Sequence, residues 1–186
     1  MVGLVVFFPF GLVLALLIVL DSRGGVFYRQ IRVGRNGQEF GLFKFRTMVT
    51  NADKAGQLTV GGRDPRITRM GYFLRKSKLD EMPQLLNILS GQMSIVGPRP
   101  EVPRYVKLYT AEQRNVLNVR PGLTDYASLE YINENEVLGR AEDPEKTYIE
   151  DIMPQKLALN QQYIAEAGLL TDLKIIFKTI GKIIKK

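Results

Sequence analysis

Residues 1–20, MVGLVVFFPFGLVLALLIVL, contain no charged side chain. A small domain has difficulty covering so long an apolar run with its own core, so this tract constrains the fold more than any other. As a straight helix it would measure about 30 Å, the depth of the hydrocarbon core of a bilayer. Pro9 complicates a straight path, because it removes one amide and clashes with the preceding turn, and a bend near Phe8 and Pro9 is predicted. A bent apolar helix can enter and leave the same leaflet. No basic n-region precedes the tract and it leads directly into the rest of the chain, so a cleavable signal peptide is not expected. The chain is therefore divided into a membrane-embedded helix over 1–20 and a separate domain over 21–186.

The other end carries a second membrane signal. From Thr171, a plausible N-cap, TDLKIIFKTIGKIIKK places Leu173, Ile176, Phe177, Ile180, Ile183 and Ile184 on one side and Lys174, Lys178 and Lys182 on the other. A basic amphipathic helix over 171–186 suits the headgroup plane of an anionic membrane, where each Lys contributes on the order of 1 kcal/mol. Packing of this helix on the domain with its lysines solvated is the alternative. The formal charge of +7 points the same way, toward anionic lipid, phosphorylated substrate or nucleic acid. Nucleic acid sits poorly with the apolar N-terminus.

The chain has no His and no Cys, which excludes a Ser-His-Asp triad, a Cys-His pair, thiolate zinc and a disulfide framework within one chain. Carboxylates, lysines and hydroxyls remain for covalent chemistry. The tract Ser77–Pro100, SKLDEMPQLLNILSGQMSIVGPRP, supplies adjacent carboxylates, Asp80 and Glu81, ahead of an apolar stripe from Leu85, Leu86, Ile88 and Leu89. Pro83 belongs in the first turn of that helix and Gly91 at its left-handed end, which predicts Asp80 at or near the N-cap. An Asp cap with Glu in the first turn is the structural alternative. Cations surround the pair: Arg75, Lys76 and Lys78 upstream, and Arg99 between Pro98 and Pro100, where two prolines stiffen the backbone and aim the guanidinium.

Upstream, VFYRQIRVGRNGQEFGLFKF reads as a hairpin turning at Asn36-Gly37. Alternation then puts Phe43 and Phe45 toward the core and Lys44 and Arg46 together on the other face, either as its wet side or as a cationic pair for substrate. Carboxylates, a fixed Arg and this pair together predict a site for a phosphate-rich, metal-bound substrate. Further helices are expected over Ile67–Lys76, from the Thr110 and Gln113 capping box, and from Asp143-Pro144 and Pro154 onward. The fold class is α+β, a small, mainly helical domain with one β-hairpin.

The segments DSRGGVFYRQIRVGRNG, KFRTM, LRKSKLDEMPQLLNILSGQMSIVGPRPE, VRPGLT and DLKIIFKT, in this order from Asp21 onward, resemble the bacterial sugar transferase family, the monotopic phosphoglycosyl transferases. The resemblance implies transfer of a sugar 1-phosphate from a UDP-sugar to polyprenyl phosphate, with release of UMP. It places the reaction at the cytoplasmic face of the bacterial inner membrane, as the first membrane step of exopolysaccharide or lipopolysaccharide assembly. It also implies a proline-broken re-entrant helix with both ends cytoplasmic, although the arm before Pro9 is shorter here than members usually have. By position, Asp80 is the expected nucleophile, Glu81 the Mg2+ ligand, and Lys44, Arg75 and Arg99 the phosphate-binding cations. Arg46 joins the substrate-binding set, and Arg120, in the VRPG turn, either contacts the nucleotide or belongs to a structural turn. The expected partners are UDP-sugar, polyprenyl phosphate and anionic lipids. DYASLEYINENE departs from the family's GWAQVNGR-like stretch, placing Asp125, Glu130, Glu134 and Glu136 where an Arg is expected, so recognition there does not carry over. A non-catalytic, lipid-binding scaffold is the alternative of a different class.

Overall fold

The computed structural model describes residues 2–52, 58–60 and 64–184, with side chains from residue 9 onward. Met1, Lys185, Lys186 and the side chains of the apolar arm before Pro9 therefore lie outside the described residues. The architecture is α+β and mainly helical, as expected. Helix α1 (Val2–Asp21) runs through Pro9, and the re-entrant break expected there is not apparent. Among the described residues no helix is long and apolar enough to cross a membrane.

Strands β1 (Phe27–Val33) and β2 (Glu39–Phe45) pair antiparallel, Phe27 opposite Phe45 and Val33 opposite Glu39. The turn is the one the sequence encodes. Asn36 (φ 58°) and Gly37 (φ 75°) are both left-handed, and the Gln38 amide donates to the Arg35 carbonyl. Helix α2 (Arg69–Lys76) starts at Thr68, whose hydroxyl accepts from the Gly71 amide at 2.9 Å. Leu14 and Ile18 of α1 bury themselves against Phe45 and Leu74, and Asp21 accepts from the Met70 amide at 2.9 Å, so α1, α2 and the hairpin form one unit.

Helix α3 (Gln84–Leu89) ends in the expected glycine cap. Gly91 has φ 76°, its amide donates to the Ile88 carbonyl, and the Gln92 amide reaches back to the Asn87 carbonyl. Its start differs from expectation: Pro83 itself occupies the N-cap position, and Asp80 and Glu81 lie before it in a 3-10 turn, Leu79–Glu81. Asn87, fully buried within the apolar stripe, stitches α3 to β2. Its Nδ2 donates to the Gly41 carbonyl at 2.9 Å and its Oδ1 accepts from the Phe43 amide at 3.0 Å. Replacing Asn87 by Ala leaves two buried backbone groups of β2 unpaired and should cost about 3 kcal/mol, read as a lower urea midpoint at unchanged m-value.

Two elements escaped the sequence reading. Strands β3 (Ser94–Val96) and β4 (Gly122–Thr124) pair in parallel, joining the VGPRP and VRPGLT segments. The backbones meet at glycines, since a Cβ on Gly122 would stand 2.1 Å from the Gly97 nitrogen. Between them lie α4 (Pro103–Val106) and the Thr110/Gln113 capping box, which opens only a 3-10 segment, Gln113–Asn118. Then come α5 (Tyr126–Glu130), α6 (Glu134–Leu138) and α7 (Pro144–Thr147), capped by Asp143 as expected. A π-turn leads from α7 into α8 (Met153–Glu166), with Pro154 in its first turn. Tyr105, Tyr148, Leu138 and Leu157 build the largest core there.

Helix α9 begins at Leu169, two residues before the expected cap. Thr171 instead donates its hydroxyl to the Glu166 carbonyl. The domain grips α9 by an edge that the amphipathic pattern does not single out. Ile175 is fully buried, the Thr179 hydroxyl pairs with that of Thr124, and the Lys182 ammonium donates to the Leu129 carbonyl. Of the expected apolar stripe only Ile176 packs against this core, and the others are exposed, Phe177 at 70 %.

Candidate active site

A cavity of about 630 Å³ runs between the hairpin, the 3-10 turn at Asp80 and the α5–α8 wall. Asp80 and Glu81 both line it. The chain enters their turn through Lys78, a left-handed residue (φ 58°) of a type that rarely adopts this conformation. That turn separates the two carboxylates, which are treated very differently.

Glu81 is clamped. The Arg99 guanidinium meets it in a two-pronged pair, with Nη1 donating to Oε2 at 3.2 Å and Nη2 to Oε1, and the Lys44 ammonium lies 3.6 Å from Oε1. Burial works to raise the Glu81 carboxyl, but Arg99 and then Lys44 outweigh it and hold it far below the usual carboxylate range. The Glu81 charge in turn raises Arg99 above its ordinary value. Burial pushes the Lys44 ammonium down to about 8, against the pull of Glu81.

Asp80 is only 7 % exposed, and among the described residues no hydrogen bond or ion pair engages it. Burial first, then the Glu81 charge, raises its carboxyl, partly opposed by Lys44, Arg75 and Lys78. A buried carboxylate that lines a cavity, flanked by cations and with its oxygens unengaged by the described residues, can serve as a nucleophile or base. Arg75 stands nearby, held by Thr47 Oγ1 at 2.9 Å and Thr59 Oγ1 at 3.1 Å.

Two expected substrate residues have other surroundings. Arg46 lines the cavity but is 7 % exposed, and its guanidinium closes the end of α1: Nε donates to Gly25 O, Nη1 to Arg23 O and Ser22 Oγ, and Nη2 to Ser22 O. With each nitrogen occupied, it acts as a helix C-cap. Alternation along β2 put Phe43 and Phe45 toward the core, but Phe40 and Leu42 on the Lys44 face are buried as well, Phe43 is only half-buried, and Arg46, just past the strand, is covered by the chain after α1. Arg120 is exposed and outside the cavity lining, and its carbonyl packs on Gly97.

Other residues position the site without having been singled out for it. Asp125, fully buried, accepts from the Ser128 amide at 2.6 Å as the cap of α5 and from the Arg99 amide at 3.0 Å, fixing the backbone that carries the Glu81 clamp. Of the other acids in that stretch, Glu134 pairs with Lys156 at 2.7 Å, whereas Glu130 and Glu136 are exposed. At the far end of the cavity Glu101 accepts from Arg32 Nη1 at 3.2 Å and from the Tyr148 hydroxyl. Its position directly after GPRP was the available signal.

Among the described residues no group of three or more acidic side chains gathers to hold an ion. Mg2+ ordinarily needs only one or two carboxylates when substrate phosphates complete its shell, and Asp80 and Glu81 meet that requirement if Glu81 exchanges part of its cationic clamp.

The model of the bacterial sugar transferase family matches residues 1–186. An Aeromonas hydrophila UDP-N-acetylgalactosamine-undecaprenyl-phosphate N-acetylgalactosaminephosphotransferase is 36 % identical over 98 % of this chain and 41 % of its own length. The exopolysaccharide production protein ExoY of Sinorhizobium fredii is 36 % identical over 96 % of this chain and 78 % of its own. A Xanthomonas campestris UDP-glucose:undecaprenyl-phosphate glucose-1-phosphate transferase is 35 % identical over 98 % and 36 % respectively. The chain thus spans well under half the length of the first and third of these relatives.

Proposed function

The chain belongs to the bacterial sugar transferase family, and from that premise we propose that it transfers a sugar 1-phosphate from a UDP-sugar to a polyprenyl phosphate such as undecaprenyl phosphate. The observation that carries this reading is the unlike pair, Asp80 buried and, among the described residues, unpartnered, beside Glu81 clamped by Arg99 and Lys44. One acid is left free to react while the other is held in place.

Lys44, Arg75 and Arg99 hold the diphosphate oxygens, and an Asp80 oxygen attacks the phosphorus that bears the sugar. The bond from that phosphorus to the bridging oxygen breaks, and UMP leaves with the electron pair. The acyl phosphate on Asp80 is then attacked by an oxygen of polyprenyl phosphate, giving the polyprenyl diphosphate sugar and restoring the carboxylate. Glu81 is the residue that would hold Mg2+, which when bound withdraws charge from the diphosphate. Arg46 is left out of the substrate set because its nitrogens are occupied. The Arg120 side chain is left out because it lies outside the cavity.

The lipid substrate calls for a site at a membrane surface, and the exposed apolar faces of α1 and α9 supply one. Leu12, Leu16 and Leu20 on α1 and Phe177, Ile180 and Ile184 on α9 all lie exposed. These faces immersed at the cytoplasmic side of a bacterial inner membrane, with α1 re-entrant or lying in the interface, bring polyprenyl phosphate to the cavity mouth. The experiment is release of UMP from a panel of UDP-sugars given polyprenyl phosphate and Mg2+. No release with any donor would refute the reading.

A pH dependence follows from Lys44. Its ammonium, titrating at about 8, is charged below that pH and neutral above it, so phosphate binding weakens as pH rises. In the kcat/KM profile for the UDP-sugar, a one-proton basic limb should appear near pH 8. Lys44→Arg keeps the charge and should shift that limb upward, even if it lowers the plateau. An unmoved limb would assign it to another group.

A further inference from the structure

Alternation gives the hairpin two faces of opposite character. One carries Tyr28, Gln30, Arg32 and Lys44, all of which line the cavity. The other carries Phe27, Arg29 and Ile31, opposite Phe45, Phe43 and Gly41. On this outer face Phe45 is covered by Leu14 and Ile18 of α1. Beside it Phe27 stacks on Phe45, with ring centroids 5.5 Å apart, yet is 57 % exposed, and Ile31 is 48 % exposed. The open apolar face therefore begins at the flank of α1. Arg29 lies across the middle of it: a Cβ on Gly41 would stand 1.7 Å from Arg29 Nε, so the glycine leaves the space that the Arg29 stem fills, and Cζ sits 5.5 Å from the centre of the Phe43 ring. Among the described residues no hydrogen bond or ion pair engages the guanidinium of Arg29, or that of Arg23 just after α1, and both residues are exposed. Glu39, the acid on this face, lies at the end farthest from α1.

A planar cation laid on an apolar platform without a counter-ion suits a phosphate whose own neighbours are apolar. A second copy of the chain fits less well, because a two-fold contact centred on Arg29 would bury like charges against each other. Residues 2–20 carry no charge on any side, so α1 sinks into lipid rather than resting on it, and the surface at its flank comes to headgroup level. We propose that the outer face of the hairpin is a membrane contact, in which Arg29 and Arg23 bind phosphates of anionic lipid headgroups while Phe27 and Ile31 enter the acyl boundary. This contact rests on the immersion of α1 given under the proposed function, not on the transfer chemistry. Lys44 alternates with Phe43 and Phe45 on one strand, so seating the outer face in the headgroups also sets the height of the cavity's cationic wall above the bilayer. A polyprenyl phosphate in the same leaflet meets that wall at a fixed level.

The chain contains no cysteine, so Ile31→Cys and, as a control on α6, Glu136→Cys each provide a single site for an environment-sensitive fluorophore. With the full chain on vesicles of phosphatidylcholine and phosphatidylglycerol, a label at residue 31 should shift to the blue and be quenched by lipids spin-labelled near the headgroup. A label at residue 136 should do neither. In flotation, Arg29→Gln and Arg23→Gln should each lower partitioning into these vesicles, relative to phosphatidylcholine alone, about fivefold, and Arg29→Lys should keep most of that preference. UDP affinity should stay unchanged in these arginine variants, since neither residue lines the cavity, which separates lost lipid contact from damage to the fold. A label at residue 31 that stays in water on membrane-bound protein would overturn the contact and leave the immersion of α1 standing. A blue shift without lipid quenching that grows with protein concentration would overturn it by assigning the face to a second copy of the chain. Lipid quenching with unchanged partitioning of both glutamine variants would overturn the phosphate contacts. Wild type that does not float with either vesicle would overturn the immersion of α1 and this contact with it.

Discussion

Asp80→Asn is expected to lower sugar-phosphate transfer by about 10³-fold or more while making the folded protein more stable. The two effects have one origin. The fold raises the Asp80 carboxyl by burial and by proximity to Glu81, so its ionised form is less favourable in the folded chain than in the unfolded one. For an acid raised in this way, the destabilisation is absent at low pH and grows as pH rises through the folded value. The amide removes that penalty at neutral pH together with the nucleophile. Thermal scans at pH 7 should therefore show a higher midpoint for Asp80→Asn, and the gap should shrink on acidification. Glu81→Gln should behave oppositely: its carboxyl is depressed, so its pairs with Arg99 and Lys44 stabilise the fold above the ordinary carboxylate range, and the variant should lose both activity and stability at neutral pH. A scaffold that only recruits lipid should bind membranes equally well with Asp80 or Asn at this position.

The second large effect concerns α1. Deleting the whole helix would be a poor experiment, because Leu14 and Ile18 are seated on Phe45 and Leu74 and would leave that core open. Replacing the outward residues Leu12, Leu16 and Leu20 by Gln leaves those contacts in place. Each exposed Leu transferred into an apolar phase contributes about 1.5–3 kcal/mol, so the triple variant should lose at least about 10³-fold in vesicle partitioning. Transfer to long-chain polyprenyl phosphate should fall with it, while UDP affinity is retained. Flotation with anionic vesicles measures the first quantity and product formation in the same vesicles the second. Unchanged flotation and transfer would show that this face of α1 does not place the site at a membrane.

What could be read from the residues, and what could not, follows from the range of the interactions. The Asn36-Gly37 turn, the Asp143-Pro144 helix start and the Gly91 helix end depend on a few neighbouring residues and were legible, whereas the helix expected from Ile67 begins only after its Thr68 cap. The carboxylate pair, Lys44, Arg75 and Arg99 were singled out as residue types, and the structure brings all five to one cavity. Their division of labour was not legible, because it rests on Arg99 reaching Glu81 across eighteen residues of chain while Asp80 receives no partner among the described residues. Arg46 shows the limit of alternation: the pattern gives a face, and only the tertiary fold shows that the end of α1 covers it. The same holds for α9, whose apolar stripe was evident although its attachment through Ile175, Thr179 and Lys182 was not. The parallel pairing of β3 and β4 was hidden because three-residue strands beside prolines read as turns. Asp125 looked like a substitution that removed a recognition group, yet its buried carboxylate supports Arg99.

Mixing the full chain with its preferred UDP-sugar and Mg2+ in the absence of polyprenyl phosphate, and recording intact protein mass alongside released UMP, tests the central claim most directly. The account predicts a burst of about one UMP per active enzyme and a mass increase of one sugar phosphate, located on Asp80 and absent from Asp80→Asn. Normal transfer to polyprenyl phosphate with no adduct and no burst under any condition would contradict it, and would assign the attack to the lipid phosphate in a ternary complex.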